Sequence, residues 1–188
     1  MFIQTEETPN PATLKFIPGK KLLDKGTLEF KNKKEAQSFE LAKNLFDDEN
    51  IKNVFIGKDF ITITKSSDVD WEVIKPNVFS KMLDFFSLNE EIKIAKSSKT
   101  KGPKKTYEKE ELAIVKQIND LLDERIKPAV AQDGGDISFV KYEDGVVFLE
   151  LRGACAGCPS STITLKSGIE NMLKYYIPEV VSVEAANQ

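Results

Sequence analysis

Histidine is absent from the 188 residues, and cysteine occurs only twice, at Cys155 and Cys158. Without imidazole there is no Ser-His-Asp triad, no histidine general base and no histidine metal ligand. Two cysteines are too few for the disulfide framework of a small secreted domain, which points to reducing surroundings. Also missing is any stretch near the roughly 20 consecutive apolar residues needed to cross a bilayer, so no membrane partner is expected. The opening, MFIQTEETPNPATLKF, has neither the basic-then-apolar layout of a signal peptide nor the Arg-rich, acid-poor look of an organelle presequence. A bacterial cytoplasm is the simplest expected location, and a protein of the mitochondrial matrix whose presequence has been removed would read the same. Charge is nearly balanced, with 27 basic against 30 acidic residues and a net charge of -3. Such a chain has no overall field to draw in a polyanion, so nucleic acid is not an expected partner.

What is present is ample apolar material: 40% of the residues are hydrophobic, and twelve are Phe, enough to build folded cores. Between them lies SLNEEIKIAKSSKTKGPKKT, residues 87–106, with no apolar side chain between Ala95 and Tyr107. Lys, Ser, Gly and Pro dominate its second half, which cannot bury enough surface to offset its ordering entropy. Residues 88–106 therefore read as a flexible linker joining two domains, residues 1–87 and residues 107–188. The lysines Lys96, Lys99, Lys101, Lys104 and Lys105 read as solvated, with an anion-binding tail the less common meaning of such a run.

The fold class is α+β in both halves. In the first, Thr13–Ile17 reads as a strand closed by Pro18-Gly19, with a second strand over 27–30 and a helix over 34–46 that puts Phe39, Ala42, Leu45 and Phe46 on one face. Residues 54–56 and 60–64 are β-rich runs joined through Gly57-Lys58-Asp59, and a last helix carries Ile74, Val78, Met82 and Phe85 at helical spacing. Trp71 and the Phe85-Phe86 pair are expected in its core. This half offers no soft metal ligand, and carboxylates suit hard ions.

The second domain reads as α-β-β-α-β with a three-stranded sheet. Leu112, Val115, Ile118 and Leu122 follow a 3.6-residue period over 108–126, with Pro128 expected to stop that helix. Residues 136–142 and 146–151 are strands turned by Asp144-Gly145. A helix from Pro159 to about residue 175 presents Leu165, Ile169, Met172 and Tyr176 along one side, and residues 180–183 form the third strand. Asp133-Gly134-Gly135-Asp136 is too short for a calcium loop and lacks the P-loop lysine, so it reads as a turn whose glycines take positive φ.

The chemistry concentrates in Gly153-Ala154-Cys155-Ala156-Gly157-Cys158. Gly and Ala leave little bulk around the thiols, so backbone can wrap closely about a bound group. Pro159 suits the first position of a helix, which places the sulfurs near a helix N-terminus, where unpaired N–H groups and the dipole favour thiolates. Ser160, Ser161 and Thr162 add hydroxyl donors. An iron-sulfur cluster or an all-thiolate zinc site needs about four cysteine ligands, and the chain has two. Without outside ligands, two chains must each supply Cys155 and Cys158 about a two-fold axis. The alternative is a dithiol-disulfide oxidoreductase in which Cys155 attacks and Cys158 resolves the mixed disulfide. Against it, only 30 residues follow Cys158, too few for the βαβ structure that follows the motif in a thioredoxin-like domain. A third reading treats the two as small buried apolar residues.

Residues 115–184, above all KPAVAQDGGDISFVKYEDGVVFLELRGACAGCPSSTITLKSGIENML, resemble the C-terminal domain of NifU, the module of Nfu-type proteins. The first half resembles the Nfu N-terminal domain in TPNPATLKF, VFIGKDFITITK and DWEVIKP. The resemblance implies an iron-sulfur cluster carrier, not an enzyme, that receives a [4Fe-4S] cluster, or a [2Fe-2S] form, from an upstream donor. It implies that the cluster is held in a homodimer by Cys155 and Cys158 of each chain and passed to apo iron-sulfur proteins, the N-terminal domain serving partner recognition. The scaffold parts of full-length NifU, with their own cysteines, are absent, which favours delivery over assembly.

Overall fold

The computed structural model describes residues 2–89, 107–156 and 159–186, the side chains of residues 159–162 excepted. The chain divides into two compact units, Met1–Ser98 and Lys99–Gln188. Of the expected linker and its lysines, all beyond Asn89 lies outside the described residues.

In the first unit, β1 (Gln4–Glu7), β2 (Thr13–Ile17), β3 (Leu28–Phe30), β4 (Ile51–Ile56) and β5 (Ile61–Lys65) form a five-stranded sheet in the order β1-β2-β5-β4-β3. Every neighbouring pair is antiparallel. The expected helix over 34–46 is broken: a 3-10 turn, Glu35–Ser38, is followed by α1 (Glu40–Leu45), with Phe39 extended at φ -139° and ψ 105°. The break turns Phe39 inward beside Ala36, Leu41, Ala42 and Leu45, a set that no single helical stripe could bury. Helix α2 (Trp71–Leu88) lays Ile74, Val78, Met82, Phe85 and Phe86 into one core with Leu14, Phe16, Val54, Ile56, Ile61 and Ile63 of the sheet. Trp71 packs at the rim of that core, its indole N–H donating to the Pro11 carbonyl at 3.2 Å.

The second unit begins with α3 (Lys109–Leu121), whose start is fixed by a reciprocal Glu108–Glu111 capping box. Pro128 does not end the helix. The chain runs through a π-helical turn, Leu122–Ile126, into α4 (Lys127–Gln132), where Pro128 occupies a first-turn position. A wider turn immediately before the proline relieves the clash of its ring with the preceding carbonyl and accommodates the missing N–H. Of the expected stripe, Ile118 and Leu122 are buried and Val115 lies partly buried against the core, whereas Leu112 is exposed.

Strands β6 (Gly135–Glu143) and β7 (Val146–Gly153) pair antiparallel about Asp144 (φ 49°) and Gly145 (φ 80°), the left-handed pair a two-residue hairpin turn requires. The register shifts between Phe139 and Lys141, leaving Val140 as an extra residue. That bulge lets Gly135 and Ile137 before it, and Tyr142 after it, all point into the core although their spacing changes parity. Helix α5 (Pro159–Tyr176) then carries the chain to β8 (Ser182–Ala185), which lies parallel to β7 and makes β7 the central strand. The buried face of α5 is Ile169 and Leu173, with Leu165 and Met172 partly buried; Tyr176 faces solvent, its ring beneath Arg125 at 5.1 Å. Both sheet edges are covered at one amide: Tyr142 N–H donates to the Tyr107 hydroxyl (3.0 Å) and Val183 N–H to the Glu170 carboxylate (3.0 Å).

Candidate functional site

The candidate site lies where the central strand β7 gives way to α5. Along β7 Val147, Leu149 and Leu151 point into the core, and this inward series continues through Gly153 to the turn Ala154–Ala156. Ala156 N–H donates to the Gly153 carbonyl at 3.1 Å, closing the turn, and Ala154 N–H donates to the Gly134 carbonyl at 3.2 Å, tying it to the chain that enters β6. Cys155 is thereby held against the core: it is only 5% exposed and packs in one apolar cluster with residues such as Ile137, Leu151 and Ile169. Cys155 is thus a buried thiol, in the setting that the third reading of the cysteines expects. Gly and Ala permit close backbone wrapping, and here the wrapped object is the cysteine side chain itself. Cys158 and Gly157 lie outside the described residues, as do the side chains of Ser160, Ser161 and Thr162.

Gly134 and Gly135 shape the other wall. Gly134 takes the left-handed conformation expected of it, at φ 79°, but Gly135 does not. Gly135 opens β6, pairs with Gly153 across the hairpin, and faces the thiol so closely that a β-carbon there would lie 2.6 Å from Cys155 Sγ. Reading the two glycines only as turn formers misses this. Consecutive glycines followed by an alternating strand are a signal for close approach as well as for φ, and one sequence does not say to what.

On the opposite face of β7, Glu150 and Arg152 are ion-paired, Arg152 Nε donating to Glu150 at 3.0 Å, so the nearest strand charges compensate one another. Asp136, the second residue of β6, accepts the Ile137 N–H at 2.8 Å, and the turn lies ahead of it at Asp133-Gly134. Among the described residues no group of three or more His, Cys, Asp or Glu side chains converges to hold a metal ion, and no helix is long and apolar enough to cross a membrane.

Comparison with known proteins gives the chain its relatives. Residues 3–89 match the family described as the N-terminal part of the scaffold protein Nfu/NifU, and residues 118–184 match the NifU-like domain. The chain is 46% identical over 185 residues to "NFU1 iron-sulfur cluster scaffold homolog, mitochondrial" of Homo sapiens, covering 98% of this chain and 71% of that one. It is 48% identical to the protein of the same name from Drosophila sechellia, covering 64% of that protein, and 45% identical to "NifU-like protein 5, mitochondrial" of Arabidopsis thaliana, covering 67%. This chain therefore spans about two thirds of the length of these relatives, whose names are mitochondrial and give no support to the bacterial cytoplasm expected above. Among solved structures, a NifU-like protein from Saccharomyces cerevisiae is similar over 52% of this chain and 87% of that one, at 29% identity and a TM-score of 0.47. Both domain matches, in order, and near-half identity across almost the entire chain show that it belongs to the Nfu/NifU family.

Proposed function

We propose that this chain is an iron-sulfur cluster carrier of the mitochondrial matrix, for which the cluster is cargo and no reaction is catalysed. Two copies hold a [4Fe-4S] cluster through Cys155 and Cys158 of each, take it from an upstream donor and release it to apo iron-sulfur proteins. The observation that carries this reading is the setting of Cys155. In a chain with two cysteines and no histidine, it lies in a Gly/Ala turn between the central strand and a helix, within the NifU-like domain. Two thiolates per chain are half of a cluster's usual complement, and a second copy completes it.

Transfer then needs only ligand exchange. An acceptor thiolate forms a bond to iron as a carrier thiolate leaves, the proton lost from the acceptor thiol balancing the one taken up by the released sulfur, and no electrons change hands. Cys155 must leave its buried position to bind iron, as it would to attack a disulfide, so burial does not separate the two readings; the match to the NifU-like domain favours the carrier. The Cys155 thiol, once released after unloading, can return to the core instead of remaining open to oxidation. Mixing the loaded chain with an apo four-iron acceptor, then separating the two, tests the reading. Iron and sulfide should move together into the acceptor, and a loaded chain that keeps its cluster in the presence of excess acceptor would contradict delivery.

A further inference from the structure

Gly135 lies close against Cys155, the proposed cluster ligand, although it is 20 positions away in sequence. A β-carbon built on its backbone would come 2.6 Å from Cys155 Sγ, 2.8 Å from the Arg152 carbonyl oxygen and 3.2 Å from Cys155 Cβ. Two of these approaches are closer than real carbon contacts allow. The sulfur could swing away about its own side-chain torsion, but the Arg152 oxygen belongs to the backbone of β7 where β7 pairs with β6, and it cannot move alone. The φ of Gly135 lies outside the left-handed region, so backbone conformation does not demand glycine there. The demand is for space, and the space is filled by the thiol.

The turn is held to this wall by more than packing. Ala154, immediately before the cysteine, donates its N–H to the carbonyl of Gly134, immediately before Gly135, and Gly135 pairs with Gly153. Gly134-Gly135 and Gly153-Ala154-Cys155 are thus one unit, two chain segments in contact at glycine.

We propose that Gly135 is a positioning residue for Cys155: by presenting no side chain it creates the seat in which the thiol rests, and so sets where this sulfur stands when the cluster arrives and leaves. The role of that seat in cargo handling rests on the carrier reading; the seat itself does not. Any residue with a β-carbon at 135 expels the sulfur and shifts the turn that carries it.

The test uses the full chain with Cys158→Ser, which leaves Cys155 as the sole thiol. Alkylation of Cys155 by iodoacetamide in the metal-free protein should accelerate at least about tenfold when Gly135→Ala is added, as a buried thiol becomes accessible. Gly168→Ala, at a helical glycine with nothing within 4 Å of its added carbon, is the control and should not raise the rate. An unchanged rate in a folded Gly135→Ala chain overturns the proposal. Stability supplies a second arm that also covers a variant too unstable to alkylate in the folded state. Gly135→Ala should lower Tm less, or fold where it otherwise does not, when Cys155→Ala removes the sulfur it meets. Strictly additive effects, or a double variant as unfolded as the single one, would overturn the proposal. With both cysteines present, Gly135→Ala should cut iron and sulfide uptake at least twofold and alter the cluster's visible absorption. If the unsubstituted chain takes up no cluster, the carrier reading fails, and the alkylation and Tm arms still decide the role of Gly135.

Discussion

The two units use the same materials, sheet and helix, to opposite ends. The first core is aromatic and interlocked: Phe16 meets Phe79 edge-on at 5.6 Å and Trp71 at 6.3 Å, while Phe39 contacts Phe85, which contacts Phe86. Of the twelve phenylalanines only Phe139 and Phe148 fall in the second unit. Its core is mostly aliphatic, with Tyr142 the one buried ring among the described residues, and admits Cys155; a register shift in β6, a π-helical turn and a glycine wall belong to the same unit. Large rings with few rotamers fix a shape. Small side chains leave a thiol a place to rest. The ring-packed core and the proposed site thus lie in different units of one chain.

The largest effect that would break this contrast is loss of cargo. Replacing Cys155 or Cys158 with Ala should reduce bound iron to near zero, and iron analysis after reconstitution reads it directly. Ser at 155 is the poorer choice because burial of the site adds a hydroxyl to an apolar core, at about 1–3 kcal/mol. Next in size, Phe16→Ala should cost the first unit about 3–5 kcal/mol. Amide exchange should show lost protection in β2 and β5 while β6 and β7 keep theirs; equal loss in both sheets would mean that the units do not stand apart energetically. Smaller and opposite in sign, Gly168→Ala in α5 should stabilise the second unit by about 0.5–1 kcal/mol, because helical Gly carries an entropic penalty and the site is open.

The smallest expected effect is a pH dependence. The Lys174 ammonium, hydrogen-bonded at 2.6 Å, and then the Val183 amide hold the Glu170 carboxyl below its ordinary pKa. A carboxyl whose folded pKa is depressed adds stability that is fully present above its unfolded pKa and is lost as pH falls through the folded one. Protection of the Val183 amide should therefore decline in mild acid, and Glu170→Gln should flatten that decline. An NMR titration placing Glu170 at or above the usual glutamate range would remove the basis for it.

Much of this architecture was legible in sequence because single physical signals sufficed. Thr13–Ile17 and the Asp144-Gly145 hairpin follow from β-propensity and turn chemistry, and the helical spacing of Ile74, Val78, Met82 and Phe85 marks the buried face of α2. The strand β1 carried no such signal, since Gln4-Thr5-Glu6-Glu7 shows no apolar alternation and gains its place by pairing with β2. Phe39 and Pro128 misled in opposite directions: a helical stripe hid a break, and a helix breaker was absorbed by a wider turn. At the site, the pair of cysteines stood out by spacing, but the burial of Cys155 and its contact with Gly135 are tertiary facts. They depend on how β6 pairs with β7, which no local pattern encodes.

Anaerobic reconstitution with iron and sulfide, followed by metal analysis and mass measurement in solution, tests the central claim most directly. The account predicts about four iron and four sulfide in a particle with the mass of two chains. A metal-free single chain that reduces protein disulfides would contradict it.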